Sequence, residues 1–397
     1  MLTAIKKDGT PFSLLPRVPK EKLRRIREDQ EFQCPECKEK VMMKIGSRRM
    51  EHFAHQKGSL CVESYERESE YHLAGKLQLF QWLKNQQLCP ELEPFYPSIR
   101  QRPDIGVPYD KKNYALEFQC STIPPELMIK RTKRYQLRKT APFWIMGGKN
   151  IKRKGEKKVS LSNFDYLFLT KSPAGQWILP AYCSTLKTFI LLRNITPLSS
   201  RNALTQFSII PMQQMDFEQL LNPAPISKSF NSADWKKEIR SQKSNVHLQG
   251  YHQNDFLREM YHASLNCTLL PSFIGLPVPN APVIETAPLI WQAYLFKDHL
   301  HQKNAGEILT FSAVYRSFMQ RVRNRQIKLR TLPLAPHISS TRPLAEYLHL
   351  LAQLDVLELL NPNTFRIKRK LIVPEHLVLQ LEMEDSFYKE FAPILFS

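Results

Sequence analysis

No apolar run in this 397-residue chain reaches the length needed to cross a bilayer. The nearest candidate, 269–296, is broken by Pro271, Pro277, Pro279, Pro282 and Pro288, and reads as an extended, proline-rich connector. The first ten residues carry Lys6, Lys7 and Asp8 with no apolar core behind them, so no secretory signal is expected. A Walker A loop, a glycine-rich dinucleotide turn and internal repeats are all missing. The seven cysteines are odd in number, which argues against a disulfide framework and makes the cytoplasm the expected compartment. Acid is scarce relative to base: 37 Asp and Glu stand against 57 Lys and Arg, a formal charge of +20. That balance favours a polyanionic partner, nucleic acid ahead of an anionic membrane surface. The length predicts two or three domains, and the ordinary apolar content is enough for real cores.

What is present centres on 102–121. Two apolar-alternating runs flank the polar turn Asp110-Lys111-Lys112-Asn113, the pattern of a β-hairpin. Asp104 opens the first strand and Glu117 lies in the second, with Gln119 two residues on and therefore on the same face as Glu117. Two carboxylates and a polar side chain at one end of a sheet offer hard oxygen ligands, suited to Mg²⁺. The plain alternative is a surface hairpin with ordinary polar residues.

Upstream stands Cys34-Pro35-Glu36-Cys37, followed by His52-Phe53-Ala54-His55 and Cys61. Two thiolates from one tight turn, with a His and a further Cys or His, can close a tetrahedral Zn²⁺ site. Five candidates compete for four positions. Cys34, Cys37 and Cys61 are the firmer ones, and His52 against His55 stays open. The other meaning of Cys-x-x-Cys, a redox pair, normally belongs at the start of a helix after a strand.

Between knuckle and hairpin the pattern predicts an amphipathic helix over 63–85, its apolar stripe including Leu73, Leu77, Phe80 and Leu83. Glu68, His72 and Lys76 share another face at i, i+4, i+8. That face is either solvated or turned into the same cleft as the hairpin. Beyond Pro124-Pro125 a helix is expected over 126–139. The stretch 128–158 holds twelve Lys and Arg against the single acid Glu156, with Tyr135, Phe143 and Trp144 interleaved. Phosphate contacts with aromatic stacking need such a mixture, although a charge run is usually a solvated face. Runs at 143–146, 166–169 and 176–180 read as strands, giving with the hairpin a mixed sheet covered by helices.

From about 200 the pattern changes to helices and proline-rich connectors, with helices expected near 217–221, 235–264, 288–301 and 309–325. The stretch 316–330 holds six basic residues and no acid. Helix, strand, turn and basic strand over 343–370 have the order of a winged-helix-like module; a helical domain with a hairpin is the alternative.

Taken together, these features resemble the CoiA family of competence proteins. The likeness lies in Cys34-x-x-Cys37, Arg48-Arg49 ahead of His52-Phe53-Ala54-His55, Glu68-Ser69 with His72 and Lys76, Arg102-x-Asp104, Glu117-x-Gln119-x-Ser121, and then Arg131, Tyr135 and Trp144. It extends over the whole chain and is strongest over 34–146. The resemblance implies an α/β protein with a zinc-knuckle N-terminal segment (1–62), a restriction-endonuclease-like mixed-sheet core of the PD-(D/E)xK type (63–195), and a basic, mainly helical C-terminal region (196–397). It also implies a part in DNA transformation, on incoming single-stranded DNA or recombination intermediates, beside other competence or recombination proteins. By the nuclease motif, Asp104 and Glu117 would hold Mg²⁺ or Mn²⁺, and Gln119 stands where that motif has lysine.

The substitution matters physically. Lysine brings positive charge to the attacking water and the scissile phosphate, whereas glutamine can only hydrogen-bond. Lys76 is the expected replacement for that charge, with Glu68 as a further carboxylate. Arg131, Lys133, Arg134, Lys152, Arg153 and Lys154 are the expected backbone contacts. The leading expectation is a metal-dependent nuclease acting on DNA; the competing one is a nuclease fold that binds DNA, or recombination proteins, without cutting.

Overall fold

The computed structural model describes residues 1–14, 18–46, 50–56, 58–59, 61, 69–227, 230–248 and 254–396. The chain is a mixed α/β protein that divides into two compact units. The first comprises Met1–Ile151, Leu167–Leu192 and Phe207–Ala224; the second comprises Lys152–Tyr166, Arg193–Gln206 and Pro225–Ser397.

The first unit opens with β1 (Thr3–Lys6), β2 (Pro11–Ser13), α1 (Lys20–Asp29), β3 (Phe32–Gln33), β4 (Lys40–Lys44) and β5 (His52–His55). The strands form one sheet in the order β2-β1-β3-β4-β5. In β4 every second side chain is buried, so Val41 and Met43 point inward while Lys40, Met42 and Lys44 face solvent. Phe32 is the hub of a small aromatic core, 5.4 Å from Phe12 and 4.9 Å from Phe53 between ring centres.

A larger mixed sheet follows. Helix α2 (Glu70–Asn85) is capped by Ser69, whose hydroxyl accepts from the His72 amide at 3.2 Å. The expected start at 63, through 68, lies outside the described residues. After α2 come β6 (Glu91–Leu92), β7 (Ile105–Tyr109), β8 (Lys112–Gln119), α3 (Pro125–Leu137) and β9 (Thr140–Gly147). The hairpin turn is the two-residue pair Asp110-Lys111. Both have positive φ, 42° and 61°, the twist that a two-residue loop needs to match its strands. Strand β9 lies parallel to β8, from Asn113 opposite Thr140 to Gln119 opposite Met146, with α3 as the crossover. The chain continues through β10 (Lys152–Arg153) and β11 (Lys158–Ser160) of the second unit. It then forms β12 (Thr170–Lys171), β13 (Trp177–Cys183), β14 (Thr188–Pro197) and β15 (Asn202–Pro211), of which β14 and β15 belong to both units. The sheet order in the first unit is β6-β7-β8-β9-β13-β14-β15.

Successive side chains of β8 alternate between the two faces. Phe118 packs towards α2, its ring 5.9 Å from His72 and 6.0 Å from Tyr71, while Glu117 reaches Arg131 of α3. Helices α2 and α3 therefore cover opposite faces. The expected strand at 166–169 is instead a 3₁₀ turn, Asp165–Phe168. Tyr166 is fully buried there beneath the Arg330 guanidinium, 3.6 Å from its ring centre.

Helix α4 (Phe217–Leu221) closes the first unit. The second unit continues with α5 (Ser232–Leu248), α6 (Asp255–His262), α7 (Pro288–His299), β16 (Ile308–Thr310), α8 (Phe311–Arg323), α9 (Arg342–Gln353), β17 (Leu357–Asn361), β18 (Thr364–Ile367) and α10 (Leu377–Phe396). Strands pair in the order β16-β18-β17. The run α7-β16-α8-α9-β17-β18 has the element order of a winged helix.

The proline-rich stretch before α7 is not a surface connector. Leu270, Ile274, Leu276, Val278 and Ile284 lie in the core of this unit. Side chains satisfy part of its main chain, beside turn bonds and a single bridge of Ile284 to Leu329. Gln292 accepts from the Gly275 and Leu276 amides at 2.7 and 2.8 Å and donates to the Leu276 carbonyl at 2.8 Å. Trp235, Tyr347 and Lys243 donate to the carbonyls of Gly275, Phe273 and Leu270.

Candidate active site and metal centre

Asp104 sits just before β7, so its neighbour across the hairpin is Glu117, by extension of the Ile105–Leu116 pair. Its carboxylate turns to α2. Lys76 Nζ lies 2.9 Å from Oδ1, His72 Nε2 3.2 Å from Oδ2, and the Phe118 amide donates to Oδ2 at 2.8 Å. A carboxylate here only accepts, so His72 carries its proton on Nε2. Burial alone would raise the Asp104 carboxyl. Lys76 and His72, by charge and hydrogen bonds, overcome it and hold the group well below the usual carboxylate range. The i, i+4 spacing on α2 therefore puts His72 and Lys76 on one carboxylate, as a turned-in face would.

Glu117 is buried and held from the other face. Arg131 Nη2 lies 2.6 Å from its Oε1, and the Tyr135 hydroxyl donates to the same oxygen. Burial and the adjacent Glu117 charge push the Tyr135 phenol well above its usual value, so it stays a donor. The Arg131 guanidinium also lies 5.6 Å from the Trp144 ring centre, and Trp144 in turn donates to Thr132 at 3.0 Å. Gln119 is buried and its amide donates to the Ser121 carbonyl and hydroxyl at 3.0 and 3.3 Å.

The structure thus brings Lys76 and His72 to Asp104, and Arg131 and Tyr135 to Glu117. Glu68, and the pair Arg48-Arg49, lie outside the described residues. Lys133 is exposed on α3 and Arg134 half-buried there; Lys152, Arg153 and Lys154 are exposed in the second unit. Their neighbours in the basic run are committed elsewhere: Lys157 pairs with Asp234 at 2.9 Å and Lys158 with Glu238 at 2.6 Å.

Sequence reasoning missed Glu93. It is buried, accepts from Lys76 at 2.7 Å, and lies 3.6 Å from Arg102 Nη1. Nothing in Leu92-Glu93-Pro94 marks an acid as interior; only the fold, which turns that loop back over α2, does so.

A second centre lies in the N-terminal sheet. The ligand atoms of Cys34, Cys37, His55 and Cys61 all lie within 4.8 Å of one another. Cys37 Sγ is 3.3 Å from His55 Nε2. Tetrahedral Zn²⁺ with thiolate bonds of about 2.3 Å sets ligand atoms about 3.8 Å apart, so this Cys₃His group could bind zinc. Burial pushes the Cys34 thiol up. His52 is turned away, with Nδ1 2.9 Å from the Met50 carbonyl. Among the described residues no comparable group of three forms around Asp104 and Glu117.

Comparison with known proteins shows the family. Three family models match in succession: "Competence protein CoiA, N-terminal domain" over residues 15–64, "Competence protein CoiA, nuclease-like domain" over 68–225, and "Competence protein CoiA, C-terminal domain" over 230–380. A curated relative, Competence protein CoiA of Bacillus subtilis (strain 168), is 32% identical over 324 residues, covering 81% of this chain and 84% of the relative. No solved structure matches the chain. Among the described residues no helix is long and apolar enough to cross a membrane. With three domain models of the family matched in order and a relative 32% identical over most of its length, the chain belongs to the CoiA family of competence proteins.

Proposed function

We propose that this protein processes DNA during natural transformation, in the cytoplasm, with a nuclease-like core that cleaves phosphodiesters using a divalent cation. The observation that carries the reading is Lys76 Nζ at 2.9 Å from Asp104 Oδ1. Gln119 leaves the lysine place of the nuclease pattern without charge, and a buried ammonium from α2 brings positive charge to Asp104.

Asp104 and Glu117 fit Mg²⁺ or Mn²⁺ in donor type only: both are hard oxygen donors and largely buried, while their carboxylates turn to α2 and α3 respectively and would have to turn towards one another to share an ion. When bound, such an ion supplies an acidified water and offsets charge on the phosphoryl oxygens. The chain's own residues do the rest. Lys76 places positive charge where negative charge grows on the phosphate. His72 and the Phe118 amide fix the Asp104 carboxylate; Arg131 and Tyr135 fix Glu117. Gln119, its NH₂ group bonded to Ser121, has its amide oxygen to orient water. Exposed Lys133 in the first unit and, by themselves, exposed Lys152, Arg153 and Lys154 in the second are the residues to contact the DNA backbone, single-stranded or in recombination intermediates. Zinc at the Cys₃His group has a structural role.

One observation favours a second reading, a DNA-binding or adaptor protein that does not cut. Both carboxylates already face organic cations, Lys76 and Arg131, as in a site that has lost its metal. Digestion of oligonucleotide and plasmid substrates with Mg²⁺ or Mn²⁺ separates the two. Cleavage lost in Asp104→Ala supports the first, and binding without cleavage on every substrate supports the second.

A further inference from the structure

Lys76 is gripped from two sides, and the nearer grip is not Asp104. Glu93 Oε1 lies 2.7 Å from its ammonium, against 2.9 Å for Asp104. Besides the Arg102 guanidinium at 3.6 Å, Glu93 receives bonds from residues 2 and 3, at the start of β1. The Leu2 amide reaches its two oxygens at 2.9 and 3.0 Å. The Thr3 amide at 3.0 Å and the Thr3 hydroxyl at 2.9 Å both reach Oε2. Its own amide donates to the Asp104 carbonyl at 3.0 Å. Glu93 also has φ 49°, a left-handed conformation that a residue other than glycine keeps only where its surroundings impose it.

Residues 1–3 belong to the sheet that carries the Cys₃His group. The Met1 carbonyl accepts from the Phe53 amide at 2.8 Å, two residues from His55. Ile5 pairs with Gln33, next to Cys34. An unbroken series of contacts therefore runs from the cysteines and histidine through residues 1–3 to Glu93, Lys76 and Asp104.

We propose that Glu93 is a positioning residue: it sets Lys76 against Asp104 and makes that placement depend on the N-terminal segment being closed around its metal. What Lys76 does once placed rests on the nuclease reading above; its placement does not. A carboxylate suits the role because it accepts from an ammonium, two amides and a hydroxyl at once and donates to none. A glutamine there would turn an NH₂ group towards donors. If Glu93 only clamped the fold, its loss would lower stability without altering the surroundings of the Lys76 ammonium in chains that remain folded.

The test uses the full zinc-loaded chain labelled with ¹⁵N at lysine Nζ. A buried, paired ammonium exchanges slowly enough to give its own signal, identified by its loss in Lys76→Met. The signal is expected to vanish or shift in Glu93→Gln, to return in part in Glu93→Asp, and to move when zinc is chelated. Thr3→Val, which removes one donor, should shift it the same way by less. An unchanged signal in folded Glu93→Gln overturns the proposal. So does chelation that frees the amides of residues 1–6 to exchange while the signal stays. Should Glu93→Gln not fold, an unchanged signal in Thr3→Val decides against it. Failure of the wild-type protein to cleave any DNA overturns the nuclease reading alone, since the signal is read without catalysis.

Discussion

The Phe118 ring occupies the space that a side chain at position 75 would need: a Cβ built on Gly75 lies 2.1 Å from Phe118 Cε1. Phe118 follows Glu117 on β8, and its amide holds Asp104, so the close approach of α2 to the sheet is what brings Lys76 and His72 to the carboxylate. Gly75→Ala on an isolated helix would gain about 1 kcal/mol. Here it is expected to destabilise the protein by about 1–3 kcal/mol through overpacking and to weaken any activity that needs Lys76. Chemical unfolding checks the sign.

Lys76 is nearly inaccessible between two buried acids. Lys76→Met therefore leaves Glu93 and Asp104 without their shared cation. A loss of about 3–5 kcal/mol of stability is expected, as for breaking a buried ion pair from one side. Lys76→Arg should lose less stability. Cleavage at wild-type rate by a folded Lys76→Met chain would contradict the charge role given to this lysine.

The pH dependence follows from Asp104. Its folded carboxyl ionises well below the unfolded value, so as pH falls the unfolded chain takes up the proton first. The stability this group contributes is complete above about pH 4 and is lost as pH falls towards its folded value. Asp104→Asn should flatten the acid limb of the stability curve below about pH 4. An acid limb unchanged in that variant would show that Asp104 is not held as described.

The Cys₃His group predicts one zinc per chain when the protein is purified without chelator. Cys37→Ser and His55→Ala should lose the metal, whereas His52→Ala should keep it, because His52 is turned to the Met50 carbonyl. Metal removal should also loosen the N-terminal sheet, since binding and folding of such sites are coupled. Elemental analysis of the three variants decides the assignment.

Much of this site was legible because its signals are local. Cys34-x-x-Cys37, the i, i+4 pair His72 and Lys76, and the Asp110-Lys111 turn each depend on residues a few positions apart. The choice between His52 and His55 was not legible, since either spacing closes a ligand set and only the register of β5 turns one ring inward. Glu93 was hidden for a different reason. Its partners, Leu2, Thr3 and Lys76, are 91, 90 and 17 positions away, and no periodicity links them. The buried proline-rich stretch before α7 read as a connector because side chains such as Gln292, rather than a ladder, satisfy part of its main chain.

Exposed and paired bases should differ in DNA binding. Replacing Lys152, Arg153 and Lys154 by Ala should weaken binding on all sequences. It should also reduce the log–log salt slope by about 0.7 per phosphate no longer neutralised on single strands, and by about 0.9 on duplex. Lys157→Ala and Lys158→Ala remove residues already paired with Asp234 and Glu238, and should alter the slope little. An unchanged slope on replacing Lys152, Arg153 and Lys154 would show that this segment touches no phosphate.

The most direct measurement of the central claim is Mg²⁺- or Mn²⁺-dependent cleavage of single-stranded and branched DNA by the wild-type chain beside folded Asp104→Ala and Glu117→Ala. The account predicts metal-dependent cleavage by the wild type, abolished in both variants while DNA binding persists. Cleavage that survives in both variants, or its absence on every substrate tested, would contradict it.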